Sequence, residues 1–310
     1  MGLGNKDFGI MSSQRTGLSQ AVIGYGTAFV SDIDTQRVAA VDVKTGEVRW
    51  IFHVGSRLDF SPSLYKGCCL FGAKDGWVYC VDAKTGELLW KRLVPARERF
   101  IGGWNKLESV WPVLSDVLIV NGTGFVKGGG GLAFNAETGA VIDAKYPARN
   151  LQIPYDMVIK GNSIPRTNED NVHGFRTLKF KRNLDARVLA FDDELTVAYK
   201  FYPKGEGWAN KGTLHIMGIE KNPKKPVWKT DPIELVVDDM VLTPQHVYCA
   251  GHFQRVKKDP ELWILSRKDG SVIKTLPVSG FPAFMGMSAA DGRLFISTRE
   301  GKLICFKKGG

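Results

Sequence analysis

Short runs of hydrophobic residues alternate with polar turns along most of the chain, and the same arrangement recurs. VAAVDVKTGEVRW (38–50) and VYCVDAKTGELLW (78–90) align without a gap. GLAFNAETGAVID (131–143) and LWILSRKDGSVIK (262–274) follow the same frame with weaker endings. Each copy consists of an apolar strand, a polar turn that ends in Gly, and a second apolar strand. The pattern predicts a repeated β-hairpin.

Two positions of the turn are filled by residues suited to it. A short polar side chain, which can bond to the backbone of the turn, occupies the first position. The residues there are Asp42, Asp82, Asn135 and Ser266. A glycine follows at the position where the hairpin needs a positive φ. These glycines are Gly46, Gly86, Gly139 and Gly270.

A second hairpin precedes these copies, which makes four short strands per unit. The preceding hairpins fall at 21–32, 61–73, 111–124, 235–251 and 286–298. A four-stranded unit that repeats every 40 to 45 residues or so is typical of β-propeller blades. We therefore predict an all-β fold, a single β-propeller over 1–310 with about seven four-stranded blades. The blade around 150–190 is expected to be irregular.

The two ends of the chain are expected to complete one blade. The last unit stops after its third strand, at LICFKK (303–308), and DFGIMSS (7–13) reads as an outer strand. Pairing of the ends would remove two free sheet edges. Trp50, Trp90 and Trp228 end outer strands, and we expect them to pack between blades.

The frame V-x-V-D-x-K-T-G-x-x-x-W resembles the pyrroloquinoline-quinone-like propeller repeat of quinoprotein dehydrogenases and of BamB, the outer-membrane-assembly lipoprotein. Residues 55–90, followed by LESVWPV (107–113), are similar to a group of bacterial propeller proteins common in planctomycetes. The tail 286–306 fits the same group. The resemblance covers most of the chain except about 150–185. It implies the propeller fold and leaves the function open, because members of the group are mostly named by their repeat.

Cys68 and Cys69 are adjacent, and a vicinal disulfide lies beside the cofactor in quinone-dependent alcohol dehydrogenases. Here Gly67 aligns with the turn glycines Gly26 and Gly292, which places the pair at the start of an ordinary second strand. Successive side chains of a strand point to opposite faces, and a disulfide ring would have to break the strand. We predict two reduced thiols with a packing role.

A quinone site would require a stacking Trp, a calcium site of carboxylates and amides, and an aspartate base. Asp59, Glu108, Asp156 and Asn150 are loose candidates, but no motif joins them. The five histidines show no metal-ligand spacing. We expect no pyrroloquinoline quinone or other cofactor, no metal and no catalytic residue; the alternative is a quinoprotein-like oxidoreductase or another enzyme acting in the central channel.

The formal net charge is +10 and the pI is about 9.3, but the basic residues are dispersed in short groups. Binding of a polyanion through this basic surface is a second alternative, without specific recognition of nucleic acid. No apolar run approaches the roughly 18 residues of a membrane helix. The start of the chain lacks the pattern of a signal peptide, while the resembled family is often exported. We expect a monomer.

Two successive links between blades are rich in charged and aromatic residues: GSRLDFSP (55–62) and ARERFIGGWNKLESVWP (96–112). Links between blades and the loops between second and third strands share one face of a propeller. Loops on a rigid scaffold commonly carry binding residues. We predict a contact surface for a protein, peptide or glycan, centred on the following residues: Arg57, Asp59, Glu108 and Trp111.

Overall fold

The computed structural model describes most of the chain. The described residues are 17–103, 106–128, 131–143, 151–152, 159–160, 165–168, 177–179, 188–192, 195–202, 213–219, 226–231, 233–253 and 256–307. Every regular element among them is a β-strand. The chain forms two compact units, Met1–Asn183 and Leu184–Gly310.

The first unit contains three antiparallel four-stranded sheets, each with its strands in sequence order. The first sheet consists of β1 (Val22–Gly24), β2 (Thr27–Asp32), β3 (Arg37–Asp42) and β4 (Val48–His53). The second consists of β5 (Ser63–Tyr65), β6 (Cys68–Gly72), β7 (Trp77–Asp82) and β8 (Leu88–Leu93). A hairpin of β9 (Phe100–Gly103) and β10 (Lys106–Ser109) follows. The third sheet consists of β11 (Leu118–Val120), β12 (Thr123–Val126), β13 (Leu132–Asn135) and β14 (Val141–Asp143). Two short pairs end the unit: β15 (Leu151–Gln152) with β16 (Ile159–Lys160), and β17 (Pro165–Asn168) with β18 (Thr177–Lys179).

The second unit contains two four-stranded sheets and one three-stranded sheet, again in sequence order. Its first sheet consists of β19 (Val188–Phe191), β20 (Thr196–Tyr202), β21 (Thr213–Ile219) and β22 (Pro226–Lys229). The next consists of β23 (Leu235–Leu242), β24 (His246–Phe253), β25 (Glu261–Ser266) and β26 (Val272–Pro277). The last consists of β27 (Pro282–Ala290), β28 (Arg293–Thr298) and β29 (Leu303–Lys307).

The turn between the third and fourth strands has the predicted chemistry. Asp82 Oδ1 accepts hydrogen bonds from the backbone N–H groups of Lys84 and Thr85, each at 2.8 Å. Gly86 closes the turn with φ +76°. Asp42 and Asn135 each accept the same two bonds, and the Ser266 hydroxyl accepts one from Lys268. The polar residue satisfies backbone donors that the tight turn leaves without strand partners.

The outer-strand tryptophans join neighbouring sheets, as predicted. Trp50 of the first sheet donates from Nε1 to the Ala83 carbonyl of the second sheet at 3.1 Å. Trp90 and Trp228 each make the same contact with the sheet that follows their own. Trp90 donates to the Glu137 carbonyl at 2.8 Å, and Trp228 donates to the Arg267 carbonyl at 2.9 Å. Each indole covers the turn glycine of the sheet it reaches. The repeat therefore encodes contacts between blades as well as within them.

Cys68 and Cys69 lie where the alignment places them, as the first two residues of β6. The preceding residues, Lys66 and Gly67, both have positive φ, as a two-residue hairpin turn of type I′ requires. Cys69 belongs to the core between the first two sheets, and Cys68 belongs to the core on the other face of β6. Both are buried free thiols, and burial raises the pKa of Cys69 far above its usual range. The two side chains point to opposite faces of β6, which supports a packing role for both.

Three features of the prediction lie wholly or mostly outside the described residues. The expected closing strand at 7–13 is one, the irregular blade around 150–190 is the second, and the candidates Asn150 and Asp156 are the third. The count of seven blades and the single domain over 1–310 therefore stay predictions.

Candidate functional site

Three segments of the first unit meet at one place, with Lys74 in the middle. Lys74 belongs to the short turn between β6 and β7, and its backbone N–H donates to the Arg57 carbonyl at 2.9 Å. Its carbonyl accepts from the N–H of Ser109, at the end of β10, at 2.7 Å. The turn thus holds the link after β4 on one side and the hairpin β9–β10 on the other.

The side chains of these segments form a network of four charges, which we call the Lys74 cluster: Arg57, Asp59, Lys74 and Glu108. Arg57 Nε lies 2.5 Å from Asp59 Oδ1. Lys74 Nζ lies 3.1 Å from Asp59 Oδ2 and 3.8 Å from Glu108 Oε2. The side chains are 9–17% exposed, so the network is largely withdrawn from water.

The charges of the cluster balance, but its hydrogen bonding is incomplete. Two cations face two carboxylates, which offsets part of the cost of removing each ion from water. Glu108 Oε1 is buried and has no hydrogen-bond partner among the residues the structure describes. A buried acceptor in this state is destabilising by about 1–3 kcal/mol unless a donor reaches it. The Glu108 side chain keeps 14% of its surface exposed, so a rotation of the carboxylate would present this acceptor to an incoming N–H or O–H group.

The structure brings together three of the four predicted residues and adds Lys74, which the sequence analysis missed. Trp111, the fourth, is half-buried, and its backbone N–H donates to the Ser109 hydroxyl at 3.1 Å. Its indole makes no hydrogen bond to the part of the chain that is described. Lys74 could have been found from the rule that second-to-third-strand loops share a face with the links.

Asp75, next to Lys74, stiffens the same turn. Its carboxylate accepts from the Tyr79 hydroxyl at 2.6 Å and from the Trp77 N–H at 3.0 Å. Burial is the largest cause of the raised pKa of Asp75, and the Tyr79 bond opposes it. Burial likewise raises the pKa of Tyr79. The pair anchors the turn to the second sheet, so Lys74 is held on a rigid element.

The hairpin β9–β10 carries exposed apolar side chains on both of its faces: Ile101 shares the face of Glu108, and Phe100 and Leu107 occupy the other. Phe100, Ile101 and Leu107 are 44%, 53% and 64% exposed. Ile101 is directly opposite Glu108 in the hairpin, so these two side chains are cross-strand neighbours. The Ser56 hydroxyl donates to the Leu107 carbonyl at 3.0 Å, which ties the hairpin to the link before Arg57.

Within the described ranges, no three His, Cys, Asp or Glu side chains are grouped so that they could hold a metal ion. Nor does the described structure contain a helix long and apolar enough to cross a membrane.

Comparison with known proteins adds a family and a fold. The family model of the outer membrane protein assembly factor BamB matches residues 10–164, half of the chain. No curated protein sequence matches the chain.

Three solved structures align with most of this chain. The computationally designed Ika8 protein aligns with 94% of this chain and 96% of its own length, at 9% identity and a TM-score of 0.57. The WD40 repeats of RRP9 align over 91% of this chain and 87% of their own, at 9% identity and a TM-score of 0.55. BamB from Moraxella catarrhalis aligns over 93% and 71%, at 14% identity and a TM-score of 0.33.

The repeated four-stranded antiparallel sheets and the similarity to WD40 repeats establish an all-β fold of the propeller class. The match of the family model over half of the chain establishes the family. The chain belongs to the BamB family of propeller proteins with pyrroloquinoline-quinone-like repeats.

Proposed function

We propose that this chain is a non-catalytic propeller scaffold that binds a protein partner at the hairpin β9–β10 and the Lys74 cluster. The observation that carries the proposal is the pair of Ile101 and Glu108, which are opposite each other in the hairpin. An exposed apolar side chain thus lies beside a buried carboxylate oxygen that lacks a donor among the described residues.

The two halves of this pair suit different parts of a protein partner. Covering Ile101 would remove apolar surface from water, which is the main favourable contribution to most protein association. A partner N–H group, from an Arg, a Lys or the backbone, would complete the hydrogen bonding of Glu108. Hot spots commonly combine a desolvated polar contact with surrounding apolar contacts that exclude water. Exposed aliphatic side chains favour a protein or peptide over a glycan.

The rest of the cluster positions Glu108 in this scheme. Lys74 lies between the two carboxylates, and its main chain bonds to both neighbouring segments. Asp59 pairs with Lys74, and the Arg57 carbonyl accepts from the Lys74 N–H, so the link is held against the same turn. The surface is therefore preorganised, which lowers the entropy lost on binding. The description of the family as an assembly factor supports a scaffold that holds other proteins.

The test compares Ile101→Asp with Ile273→Asp, a matched control. Ile273 lies in β26 of the other unit and is 56% exposed, against 53% for Ile101. Each immobilised variant and the wild type would be exposed to a lysate of the source cells, and retained proteins would be quantified by mass spectrometry. We expect Ile101→Asp to lose a protein that the wild type and Ile273→Asp retain, with all three equally stable.

A second variant, Glu108→Gln, separates the polar contact from the apolar one. The amide keeps the shape of the side chain and removes the negative charge, so retention of the same protein should fall. The proposal is wrong if every protein retained by the wild type is retained equally well by Ile101→Asp. Equal losses in the two Asp variants would also contradict it.

A further inference from the structure

A second constellation lies in the unit Leu184–Gly310 and is independent of the surface proposed above. Its centre is Asp238, the residue inserted by a β-bulge in β23: Val237 pairs with Gly251, and Asp239 pairs with Ala250. Bulges commonly redirect a side chain at a functional position. The Asp238 side chain is completely buried.

Two cationic or potentially cationic side chains bind the Asp238 carboxylate. His252 Nδ1 lies 2.6 Å from Oδ2, and Arg299 Nη2 donates to Oδ1 at 2.9 Å. Because an ionised carboxylate only accepts, the proton of this bond belongs to Nδ1. Arg299 Nε also donates to the Pro282 carbonyl at 3.1 Å, which fixes the plane of the guanidinium. Both side chains are therefore oriented before any ligand arrives.

Both residues retain hydrogen-bonding capacity. Nε2 of His252 makes no hydrogen bond to a described residue and is not sealed in the interior. The guanidinium carries five N–H donors, and Arg299 makes two hydrogen bonds within the described structure. The side chains are 11% and 34% exposed, so both are reached by solvent.

An aromatic ring borders both groups. The Phe281 ring centroid lies 5.9 Å from that of His252 and 6.0 Å from Arg299 Cζ. Phe281 is 45% exposed. Its backbone N–H donates to the Glu300 carboxylate, with both oxygens at 3.1 Å, which holds the loop in place. The three side chains thus combine two oriented polar groups with one exposed apolar wall.

We propose that His252, Arg299 and Phe281 form a binding site for an oxyanion, namely the carboxylate or phosphate group of a ligand. The guanidinium fork matches the geometry of both groups. Nε2 of His252 supplies a second donor when the ring is protonated. Phe281 offers apolar surface to the body of the ligand that carries the anion.

Asp238 carries the charge opposite to that of Arg299, and a protonated His252 ring adds a positive charge to the site. Two further carboxyl groups lie nearby. Asp239 accepts from the N–H groups of Met240 at 2.7 Å and Met287 at 2.6 Å, and Glu300 accepts from Phe281. Burial raises the pKa of Asp239 to about 7, which lowers its negative charge in mildly acidic solution.

The experiment follows the histidine ring signals of the wild-type protein by NMR in mildly acidic buffer. Inorganic phosphate, acetate and chloride are titrated separately at constant ionic strength. His246, on the same strand, serves as an internal control, because its ring contacts Tyr248 and lies outside the constellation. We expect saturable shifts of the His252 signals with phosphate or acetate, and none with chloride. The anion whose titration saturates shows whether the site binds a phosphate or a carboxylate group.

Arg299→Lys tests the guanidinium, with Arg293→Lys on the same sheet as the control. Loss of a charge-assisted hydrogen bond should lower the affinity for the titrated anion about tenfold in Arg299→Lys. The affinity of Arg293→Lys should equal that of the wild type. The wild-type titration decides the proposal if Arg299→Lys does not fold. Absence of a saturable shift at His252, parallel shifts at His246, or equal weakening by the two variants would overturn it.

Discussion

The contacts between neighbouring sheets can be tested by comparing Gly86→Ala with Gly46→Ala. The two glycines occupy the same turn position, with φ +76° and +78°. They differ in what lies above them. A Cβ at Gly86 would stand 2.7 Å from Cδ2 of Trp50, whereas a Cβ at Gly46 would meet no described atom within 4 Å. The pair therefore separates backbone strain from the contact between sheets.

The expected magnitudes follow from this difference. An alanine in the left-handed region lowers stability by about 1–2 kcal/mol, and both variants bear this loss. Gly86→Ala must also move the Trp50 ring, which is 9% exposed and donates to Ala83 at 3.1 Å. Overpacking of this kind adds about 1–3 kcal/mol. Gly86→Ala should thus be the more destabilising variant by about 1–3 kcal/mol.

Equilibrium urea unfolding, monitored by tryptophan fluorescence, measures both losses. Gly139→Ala provides a replicate, because its Cβ would stand 2.7 Å from Cε3 of Trp90. The expected order is a small loss for Gly46→Ala and larger losses for the other two. Equal losses at all three positions would refute the idea that the tryptophan and the turn glycine act as a unit between sheets.

Three other predictions concern pH, thiols and cofactor. The pKa of Asp239 rises on folding from 3.8 to about 7, so the folded state holds the extra proton and stability falls as pH rises between these values. This fall in the free energy of unfolding is at most about 4 kcal/mol. The Asp239→Asn variant, measured by urea unfolding, should lack this part of the pH dependence. A pH profile identical to that of the wild type would contradict the prediction. Alkylation under denaturing, non-reducing conditions should modify all five cysteines, and two that need a reductant first would revive a Cys68–Cys69 disulfide. Pyrroloquinoline quinone with calcium should not raise the melting temperature, since specific binding to the native state would stabilise it; a rise of several degrees would show a quinone site.

The repeat frame was predictable because it depends on local chemistry. Asp82 and Gly86 perform the turn functions that their types and spacing indicate, and Trp50 packs where an outer-strand tryptophan should. The position of Cys68 at the start of β6 followed from aligning one turn glycine. In each case the signal and the structure it specifies lie within one repeat or between adjacent ones.

The charged sites were less predictable because they depend on which loops meet. Asp59 and Glu108 were found from the composition of two links, but the Lys74 between them stands in a short turn with nothing unusual in its sequence. The hairpin β9–β10 was read only as a link. Asp238 lies in β23 and Arg299 in the turn after β28, and no spacing in the sequence relates them.

The central claim, that a protein partner contacts the hairpin, is tested most directly by site-specific photo-crosslinking in the source cells. A photoreactive amino acid would replace Ile101, which is 53% exposed, and in a control protein Ile273, which is 56% exposed. We predict one major protein adduct from position 101, its absence from position 273, and a weaker adduct when Glu108→Gln is added. No adduct at position 101, or the same adduct from both positions, would contradict the account.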